Sequence, residues 1–304
     1  MIQFTCNVCG ERRAAEEARL LDPANPPTCE GCGSNVRARA LVHIFSIELF
    51  GVSLPLPDFP RLESLRGLGL SDWAGYAEPF EQLFTYQNTF HHLEPNFDIA
   101  AEHPQKHGSY DFLMASEVFE HVPPPVEQSL TEARKLLAPG GRLFLTTPYS
   151  LDENTVEHFP TLNRFTVAEI DGEAVVVNRR ADGGLEAFDG LKFHRAPESA
   201  DTSLEVRLFS KNGLEAALRA AGFAEVEFCG DSCLRYGILH HEWSQPVIAR
   251  REPAPGPPAY VAEMARRLGS LHRQSRAAND SRWSRLGRRL GVGPTINLEG
   301  KLEE

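Results

Sequence analysis

Four of the six cysteines in this 304-residue chain form two pairs with the spacing of metal ligands. Cys6 and Cys9 are separated by two residues, as are Cys29 and Cys32, and each pair is followed by a glycine. Glycine permits the tight backbone turn that lets two thiolates share one ion. The pattern predicts a tetrahedral Zn²⁺ site, and because four protein ligands leave no open position, the zinc should be structural. Disulfides are the alternative, which a cytoplasmic location would disfavour.

A second group of reactive side chains follows two apolar runs in the middle of the chain. The run over 110–115 ends in Ser116 and Glu117, with His121 close behind, and a second run covers 142–147. A helical pattern and a Pro-Gly-Gly turn separate the two runs, which predicts a parallel strand–helix–strand unit. Ligands of such sheets bind at the carboxyl ends of the strands. These polar side chains should therefore line a binding cleft.

The same block resembles a known enzyme family. Tyr110-Asp-Phe-Leu-Met-Ala-Ser-Glu-Val-Phe-Glu-His-Val-Pro, with the later Leu136-Leu-Ala-Pro-Gly-Gly-Arg-Leu-Phe-Leu-Thr-Thr-Pro148, closely resembles the second half of class I S-adenosylmethionine-dependent methyltransferase domains. The resemblance covers roughly residues 64–250. It implies an α/β, Rossmann-like sheet and an enzyme that moves a methyl group from S-adenosylmethionine to an acceptor.

The resemblance also implies a set of cofactor-binding residues. Arg66-Gly67-Leu68-Gly69-Leu70-Ser71-Asp72 is the best match to the family's glycine turn, with Ser71 in place of the third glycine. Glu94 would accept hydrogen bonds from the ribose hydroxyls at the end of the second strand, predicted over 89–93. The full implied set is Gly67, Gly69, Asp72, Glu94, Asp98, Ala115, Ser116 and Glu117. A simple turn is the alternative explanation for the glycines, and a turn cap is the alternative for Asp98, which is predicted to lie in a short strand over 97–99.

Two histidines are the candidates for a catalytic base. His121 follows the fourth strand of the family pattern and His158 follows the fifth, where acceptor-binding residues of this class often lie. Histidine titrates near neutral pH and can take a proton from an O–H or N–H acceptor. Glu157 could orient His158. A structural role for His121 and a surface position for His158 are the alternatives.

The whole sequence limits the partners. A net charge of −11 argues against broad contact with nucleic acid or an anionic membrane. No apolar run approaches the roughly 20 residues that span a bilayer, and the first residues lack a secretory signal. We therefore expect a cytoplasmic enzyme acting on a small molecule or sugar. A degenerate, non-catalytic binding module and an RNA methyltransferase are the alternatives.

Three segments follow from these patterns. Residues 1–50 should form a zinc ribbon plus a helix, similar to the start of some bacterial methyltransferases, and 61–252 the methyltransferase domain, with a β-hairpin insertion at about 160–205. Residues 253–304 comprise a Pro-rich linker and a basic helical tail. The tail's arginines are Arg266, Arg267, Arg273, Arg276, Arg282, Arg285, Arg288 and Arg289. The tail could dock on its own acidic domain, form a homodimer or contact an anionic partner.

Overall fold

The computed structural model describes residues 1–191, 193–195, 202–253, 256–279, 281, 285–286 and 289. In these ranges no helix is both long and apolar enough to cross a membrane. The elements up to the middle of the chain are β1 (Ile2–Thr5), β2 (Arg12–Ala15), α1 (Glu17–Leu20), α2 (Val36–Phe50), β3 (Leu62–Leu70), α3 (Ala74–Leu83), β4 (Phe84–Thr89), β5 (Tyr110–Ser116), α4 (Val126–Leu136) and β6 (Leu137–Thr146).

The second half continues with short strands, a hairpin sheet and two helices. Its elements are β7 (Tyr149–Ser150), β8 (Val156–Glu157), β9 (Arg164–Ile170), β10 (Glu173–Arg179), β11 (Leu185–Phe188), β12 (Phe193–Arg195), β13 (Thr202–Leu204), β14 (Arg207–Ser210), α5 (Lys211–Ala220), β15 (Glu225–Phe228), β16 (Val247–Arg250) and α6 (Ala259–Asn279).

The main sheet has six strands in the order β15-β16-β6-β5-β3-β4. Strands β4, β3, β5 and β6 are parallel neighbours, and β16 is antiparallel to both β6 and β15. The order therefore places the parallel strands β3 and β5 next to each other, with their carboxyl ends side by side. This is the Rossmann-like arrangement that the sequence predicted.

Alternating side chains on the sheet bury both of its faces. Leu113, Leu143 and Ala249 pack with α4 and α5, whereas Phe112 and Phe144 pack with α2 and α3. On the second face the ring of Phe45 in α2 lies 5.0 Å from that of Phe112 and 5.2 Å from that of Phe144, centroid to centroid. The helix that follows the cysteine pairs is therefore part of the main core.

The ends of α2 are set by its sequence. Asn35 precedes the helix, and its side chain accepts a hydrogen bond of 2.9 Å from the Ala38 amide. Gly51 ends the helix in a left-handed conformation, with φ of 66°, which glycine adopts without steric cost. These caps fix where the first turn of α2 lies relative to the cysteine pairs.

The insertion is a three-stranded antiparallel sheet, β11-β10-β9. Its first hairpin turns at Asp171 and Gly172, which have φ of 54° and 84°, as expected of a two-residue hairpin loop. After β11 the chain continues to the short strand β12 at Phe193–Arg195. Leu204 and Val206 pack with Phe159 and Leu162 in a small core of their own.

The sequence prediction was wrong around the third strand of the family pattern. Residues 97–99 form a loop and not a strand, because the side chain and the carbonyl of Asp98 accept hydrogen bonds from the amides of Ala100 and Ala101 and so bend the chain into a turn. The strand predicted over 89–93 lies instead at Phe84–Thr89, directly after α3. Glu94 therefore lies in a loop five residues beyond the end of β4.

The tail helix α6 docks on the chain's own body. Arg273 and Arg276 both contact the carboxylate of Asp58, which is completely buried. Gly269 lies against the same residue, where an added Cβ would come 3.1 Å from the Asp58 Cβ. Arg282 and Arg288 lie outside the described residues. The first of the three roles considered for the tail, docking on its own acidic domain, is thus realised by the described part of the helix.

Candidate functional site

The four cysteines of the two pairs form one cluster. One ligand atom from each lies within 4.8 Å of all the others, and the Sγ–Sγ distances are 3.7 Å for Cys6–Cys32 and 3.7 Å for Cys9–Cys29. In each pair a turn closes through the following glycine, whose φ is 80° at Gly10 and 76° at Gly33. The arrangement matches two metal-binding knuckles and not one disulfide within each Cys-x-x-Cys pair.

A buried arginine supports a charged cluster there. Arg39 is fully buried, and its guanidinium donates only to the carbonyls of Tyr236, Gly237 and Ser34 and to the Ser34 hydroxyl. No carboxylate among the described residues forms an ion pair with it. Burial lowers the pKa of Arg39, whereas the cysteine sulfurs, Cys6 foremost, raise it. Four thiolates around one Zn²⁺ carry a net negative charge, so the donor set and its surroundings fit zinc.

The carboxyl ends of β3 and β5 form the second candidate site. Ser71 follows β3 with φ of 57°, so it keeps the left-handed conformation that the missing third glycine would supply. Glu117 follows β5 with the same φ of 57°. Left-handed backbone at a residue other than glycine is uncommon and marks functional sites more often than chance. Both residues lie at the edge where this fold binds ligands.

The two glycines of the predicted cofactor turn have a packing role. A Cβ on Gly67 would lie 2.1 Å from Cζ of Phe112, and one on Gly69 would lie 1.9 Å from the Tyr86 hydroxyl. Both residues are inside β3, before the turn. Neighbouring rings therefore account for the missing side chains, and the role in cofactor binding that the resemblance implies for both glycines stays a prediction.

Asp72 also faces the core. Its carboxylate is buried and accepts hydrogen bonds from the hydroxyls of Tyr76, at 2.6 Å, and Tyr86, at 2.5 Å. Burial raises its pKa to about 6, although both tyrosines lower it. Asn88 binds its backbone amide and carbonyl. Both carboxylate oxygens of Asp72 thus bind tyrosine hydroxyls, and the predicted part of Asp72 in cofactor binding stays a prediction.

Glu117 and Glu120 form a pair of acids after β5. Glu117 Oε2 lies 3.0 Å from an Arg37 guanidinium nitrogen, and Glu120 Oε2 accepts a hydrogen bond of 3.0 Å from the Thr147 hydroxyl. The other oxygen of each carboxylate is buried and has no hydrogen-bond partner among the described residues. Burial, and next the charge of Glu117, raise the pKa of Glu120 well above its ordinary value. Orphaned acceptors of this kind indicate a donor or cation that belongs at the site.

The remaining predicted cofactor residues lie near this edge or in the loop beyond β4. Ala115 is buried in β5, and the Ser116 hydroxyl is 3.0 Å from that of Thr146 on β6. Glu94 is exposed and accepts a hydrogen bond of 3.1 Å from the Asn96 amide. Asp98 accepts one of 2.9 Å from the Ala100 amide, which is the turn-capping geometry considered above.

The two candidate bases have different surroundings. His121 Nδ1 lies 2.8 Å from the Leu204 carbonyl, and its Nε2 is 3.7 Å from Glu120 Oε1. His158 Nε2 lies 3.1 Å from Glu205 Oε1. His121 therefore ties the loop after β5 to the end of the insertion, whereas His158 belongs to a histidine–carboxylate pair.

The His158–Glu205 pair lines a cavity of about 310 Å³ at the base of the insertion. Phe159, Phe188 and Asp189 complete most of its wall. Backbone hydrogen bonds link it to the acidic edge, because the Val206 carbonyl accepts from the His158 amide and the Val206 amide donates to the Glu120 carbonyl. A volume of this order suits a small molecule.

Glu157 does not orient His158, which corrects the sequence expectation. Its carboxylate accepts a hydrogen bond of 2.6 Å from Nε of Arg207, a fully buried side chain on β14. The guanidinium also donates to the carbonyls of Phe119 and Val122. Glu157 and His158 therefore have different partners, Arg207 and Glu205.

Sequence reasoning missed three residues of these sites, namely Arg37, Arg39 and Glu205. The partner of each is distant in the sequence: Arg37 meets Glu117, Arg39 meets Tyr236, and Glu205 meets His158. Only the Arg-x-Arg that follows the cysteines offered a signal. Two basic side chains this close to four candidate thiolate ligands could have been predicted to balance the negative charge of the thiolates.

Comparison with known proteins agrees with this architecture. A family described as a methyltransferase domain matches residues 17–227. The matched range is more than half of the chain, which therefore belongs to this methyltransferase family. With its strand order and carboxyl-edge site, it is a class I methyltransferase. No curated protein matches the sequence.

Solved structures of methyltransferases are similar at low identity. An amino pentose methyltransferase from Micromonospora echinaspora, solved with S-adenosylmethionine bound, is 14% identical with a TM-score of 0.41, over 73% of this chain and 94% of that one. A sugar N-methyltransferase from a Streptoalloteichus species is 15% identical with a TM-score of 0.40, over 73% and 90%. Likenesses this remote carry no information about the acceptor.

Proposed function

We propose that this enzyme transfers the methyl group of S-adenosylmethionine to an oxygen or nitrogen atom of a small molecule or sugar. The observation that carries the proposal is the His158–Glu205 pair, which lines a cavity tied by backbone hydrogen bonds to the acidic edge of the sheet. An acceptor in the cavity and a cofactor at the edge would thus be held by adjoining segments of the chain.

The residues at the edge fit the cofactor. S-adenosylmethionine supplies an electrophilic methyl on a sulfonium, and its methionyl part carries an ammonium group. The buried Oε1 of Glu117, which has no hydrogen-bond partner among the described residues, offers an acceptor for such a cation. Of the residues implied by the family resemblance, Ala115, Ser116 and Glu117 have the position that supports this role, and Glu94 and Asp98 stay predictions for the nucleoside part.

His158 is the proposed general base. When Nε2–H of His158 donates to Glu205, Nδ1 keeps its lone pair. Nδ1 can then take the proton from the oxygen or nitrogen atom of the small molecule while that atom bonds to the methyl carbon and the bond from the methyl carbon to sulfur breaks. Glu205 then stabilises the imidazolium. His121, whose Nδ1 lies at hydrogen-bond distance from the Leu204 carbonyl, would position the insertion rather than take a proton.

Structural Zn²⁺ in the four-cysteine cluster belongs to the same proposal. The ligands are Cys6, Cys9, Cys29 and Cys32, and four thiolates close the coordination shell. The metal would hold the ribbon together and take no part in the reaction.

The first experiment uses S-adenosylmethionine labelled in its methyl group and a small-molecule extract as the acceptor source. The wild-type protein should label a low-molecular-weight product, and His158→Ala should lower the rate about 10²–10⁴-fold while S-adenosylhomocysteine affinity stays within a few-fold. His107→Ala is the matched control, because His107 also pairs with a glutamate, Glu132, but outside the cavity. A wild-type protein that binds neither cofactor form would contradict the proposal.

A further inference from the structure

The four-cysteine ribbon contacts the proposed cofactor edge at two separate points. Gly33, which follows the second cysteine pair, lies against Trp73, since a Cβ there would be 3.9 Å from ring atom Cζ2. Trp73 directly follows the turn after β3. Arg37, in the first turn of α2, lies 3.0 Å from Glu117, directly after β5. The loops after β3 and β5 thus lie beside the segment that begins at Cys32.

The ribbon holds the start of α2 in place. The Ser34 carbonyl accepts hydrogen bonds of 3.0 Å from the amides of both Thr28 and Cys29. Asn35 caps the helix, and the fully buried Arg39 fixes the same turn through the Tyr236 and Gly237 carbonyls. Arg37 lies between these two anchors, so the position of its backbone depends on the cysteine cluster.

Arg37 also resolves an electrostatic problem at the edge. Glu117 and Glu120 are close enough that the first raises the pKa of the second, and Arg37 is the cation that the described residues place against Glu117. Removing Arg37 would leave Glu117 facing another acid without a counter-charge, and its carboxylate would be free to turn towards solvent.

We propose that Arg37 is a positioning residue through which the four-cysteine ribbon sets cofactor affinity. Its guanidinium binds Glu117 Oε2 and so leaves Oε1, which has no hydrogen-bond partner among the described residues, for the ammonium group of the cofactor. This inference rests on the proposed function, because it assumes that the cofactor occupies the carboxyl edge.

The test is calorimetry with S-adenosylhomocysteine on the full-length, metal-loaded protein. Arg37→Ala should weaken binding about 10-fold or more, and Arg37→Lys should recover part of the loss because it keeps the charge without the planar guanidinium. Arg66→Ala is the matched control: Arg66 also pairs with a carboxylate, Asp111, at 3.3 Å, but that residue lies five positions before Ser116 on β5. This control should bind like the wild type.

Two further measurements separate positioning from general destabilisation. In a Glu117→Gln background, Arg37→Ala should change the affinity less than about 3-fold, because both substitutions break the same contact. Coupling between two sites is reciprocal, so S-adenosylhomocysteine should slow the loss of zinc to a chromogenic chelator in the wild type but not in Arg37→Ala.

The possible failures are distinguishable. The inference is overturned, and the proposed function stands, if the wild type binds S-adenosylhomocysteine and the affinity of Arg37→Ala is within about 2-fold of the wild-type affinity. A change of that size is what a neutral surface substitution gives. Additive effects of Arg37→Ala and Glu117→Gln, or zinc loss that the ligand does not slow, also overturn it. A wild type that does not bind the ligand overturns the proposed function itself.

Discussion

Glu120 is an almost completely buried acid at the carboxyl edge of the sheet. Its side chain is 1% exposed, one oxygen accepts from Thr147, and the other lies 3.7 Å from His121 Nε2. Burial and the neighbouring Glu117 raise its pKa, so the folded protein favours the protonated carboxyl. Deprotonation must therefore reduce stability.

The pH dependence of stability follows from this shift. The stabilising effect of a raised pKa is fully present below the unfolded-state value of about 4.3 and is lost as the pH rises towards the folded-state value, at up to about 1.4 kcal/mol per pH unit. Glu120→Gln has no carboxyl to ionise at this position. Its free energy of unfolding should therefore exceed the wild-type value by a margin that grows as the pH rises from about 5 to about 8.

Urea denaturation at a series of pH values measures this difference. The control is Glu127→Gln, because Glu127 is exposed on α4 and should give the same curve as the wild type. A constant offset between Glu120→Gln and the wild type across the whole pH range would contradict the assignment of Glu120 as the titrating group.

Gly67 separates packing from ligand binding at a single position. Because its Cβ would overlap the Phe112 ring, Gly67→Ala should lower the free energy of unfolding by about 1–3 kcal/mol, the usual cost of overpacking. Gly256→Ala is the control, since nothing lies within 4 Å of its Cβ position. Full stability in Gly67→Ala, with cofactor affinity lost, would instead support the role that the family resemblance implies.

Helix α6 illustrates how an element can be basic and still belong to the fold. Its inner face presents the buried Ala262 and Ala265, then Gly269, and finally the two arginines that reach Asp58. The outer face carries Tyr260 and Leu271, which are 66% and 59% exposed. Docking thus depends on a few contacts at the far end of the helix.

Removing either arginine should therefore loosen the helix. Arg273→Ala or Arg276→Ala leaves the Asp58 carboxylate without one charged donor, which we expect to cost about 1–2 kcal/mol after allowance for the partly exposed arginines. Limited proteolysis should cut the linker faster in both variants. Arg267→Ala is the control, because Arg267 pairs with Glu263 on the same helix, away from the body. Equal cleavage rates in all three would contradict the docking.

The ribbon is part of the whole molecule rather than an appendage. Phe4 packs against Gly237, where a Cβ would come 2.7 Å from the ring, and the Arg39 guanidinium lies 4.8 Å from the same ring. The buried hydrophobic cluster that includes Cys6 and Cys29 continues through Phe45 to Phe144 of the main sheet. Loss of the metal should therefore destabilise the enzyme as a whole.

Elemental analysis should find one zinc per chain, and Cys6→Ser should lose the zinc. Because metal-binding energy in such units is folding energy, the Tm should fall by on the order of 10 °C, as it should in wild-type protein treated with a chelator. Cys233→Ser is the control, because Cys233 lies outside the cluster. Zinc retained in Cys6→Ser, or an unchanged Tm after chelation, would contradict a structural zinc.

The sequence alone determined the elements that local patterns encode. The spacing of the cysteines predicted their cluster, and the apolar runs predicted β5, α4 and the second part of β6, because burial on both faces is a local property. The Pro-Gly-Gly segment is not a turn between α4 and β6, as the sequence predicted, but an irregularity inside β6, which starts at Leu137. It failed at 97–99, where two buried residues in a loop resemble a short strand. The glycines of the predicted cofactor turn looked like ligand contacts, because a sequence does not show which ring occupies the space beside them.

Only the tertiary structure decided which charges meet. Arg37 binds Glu117, Arg39 lies beside the cysteines, Glu205 rather than Glu157 pairs with His158, and Arg273 reaches Asp58. Arg39 follows the second cysteine pair closely, but the other pairs join residues far apart in the chain, where a charged side chain carries no local signal of its partner. Burial selects the partner, because an ion removed from water must find an opposite charge or hydrogen bonds wherever the folded chain brings one close.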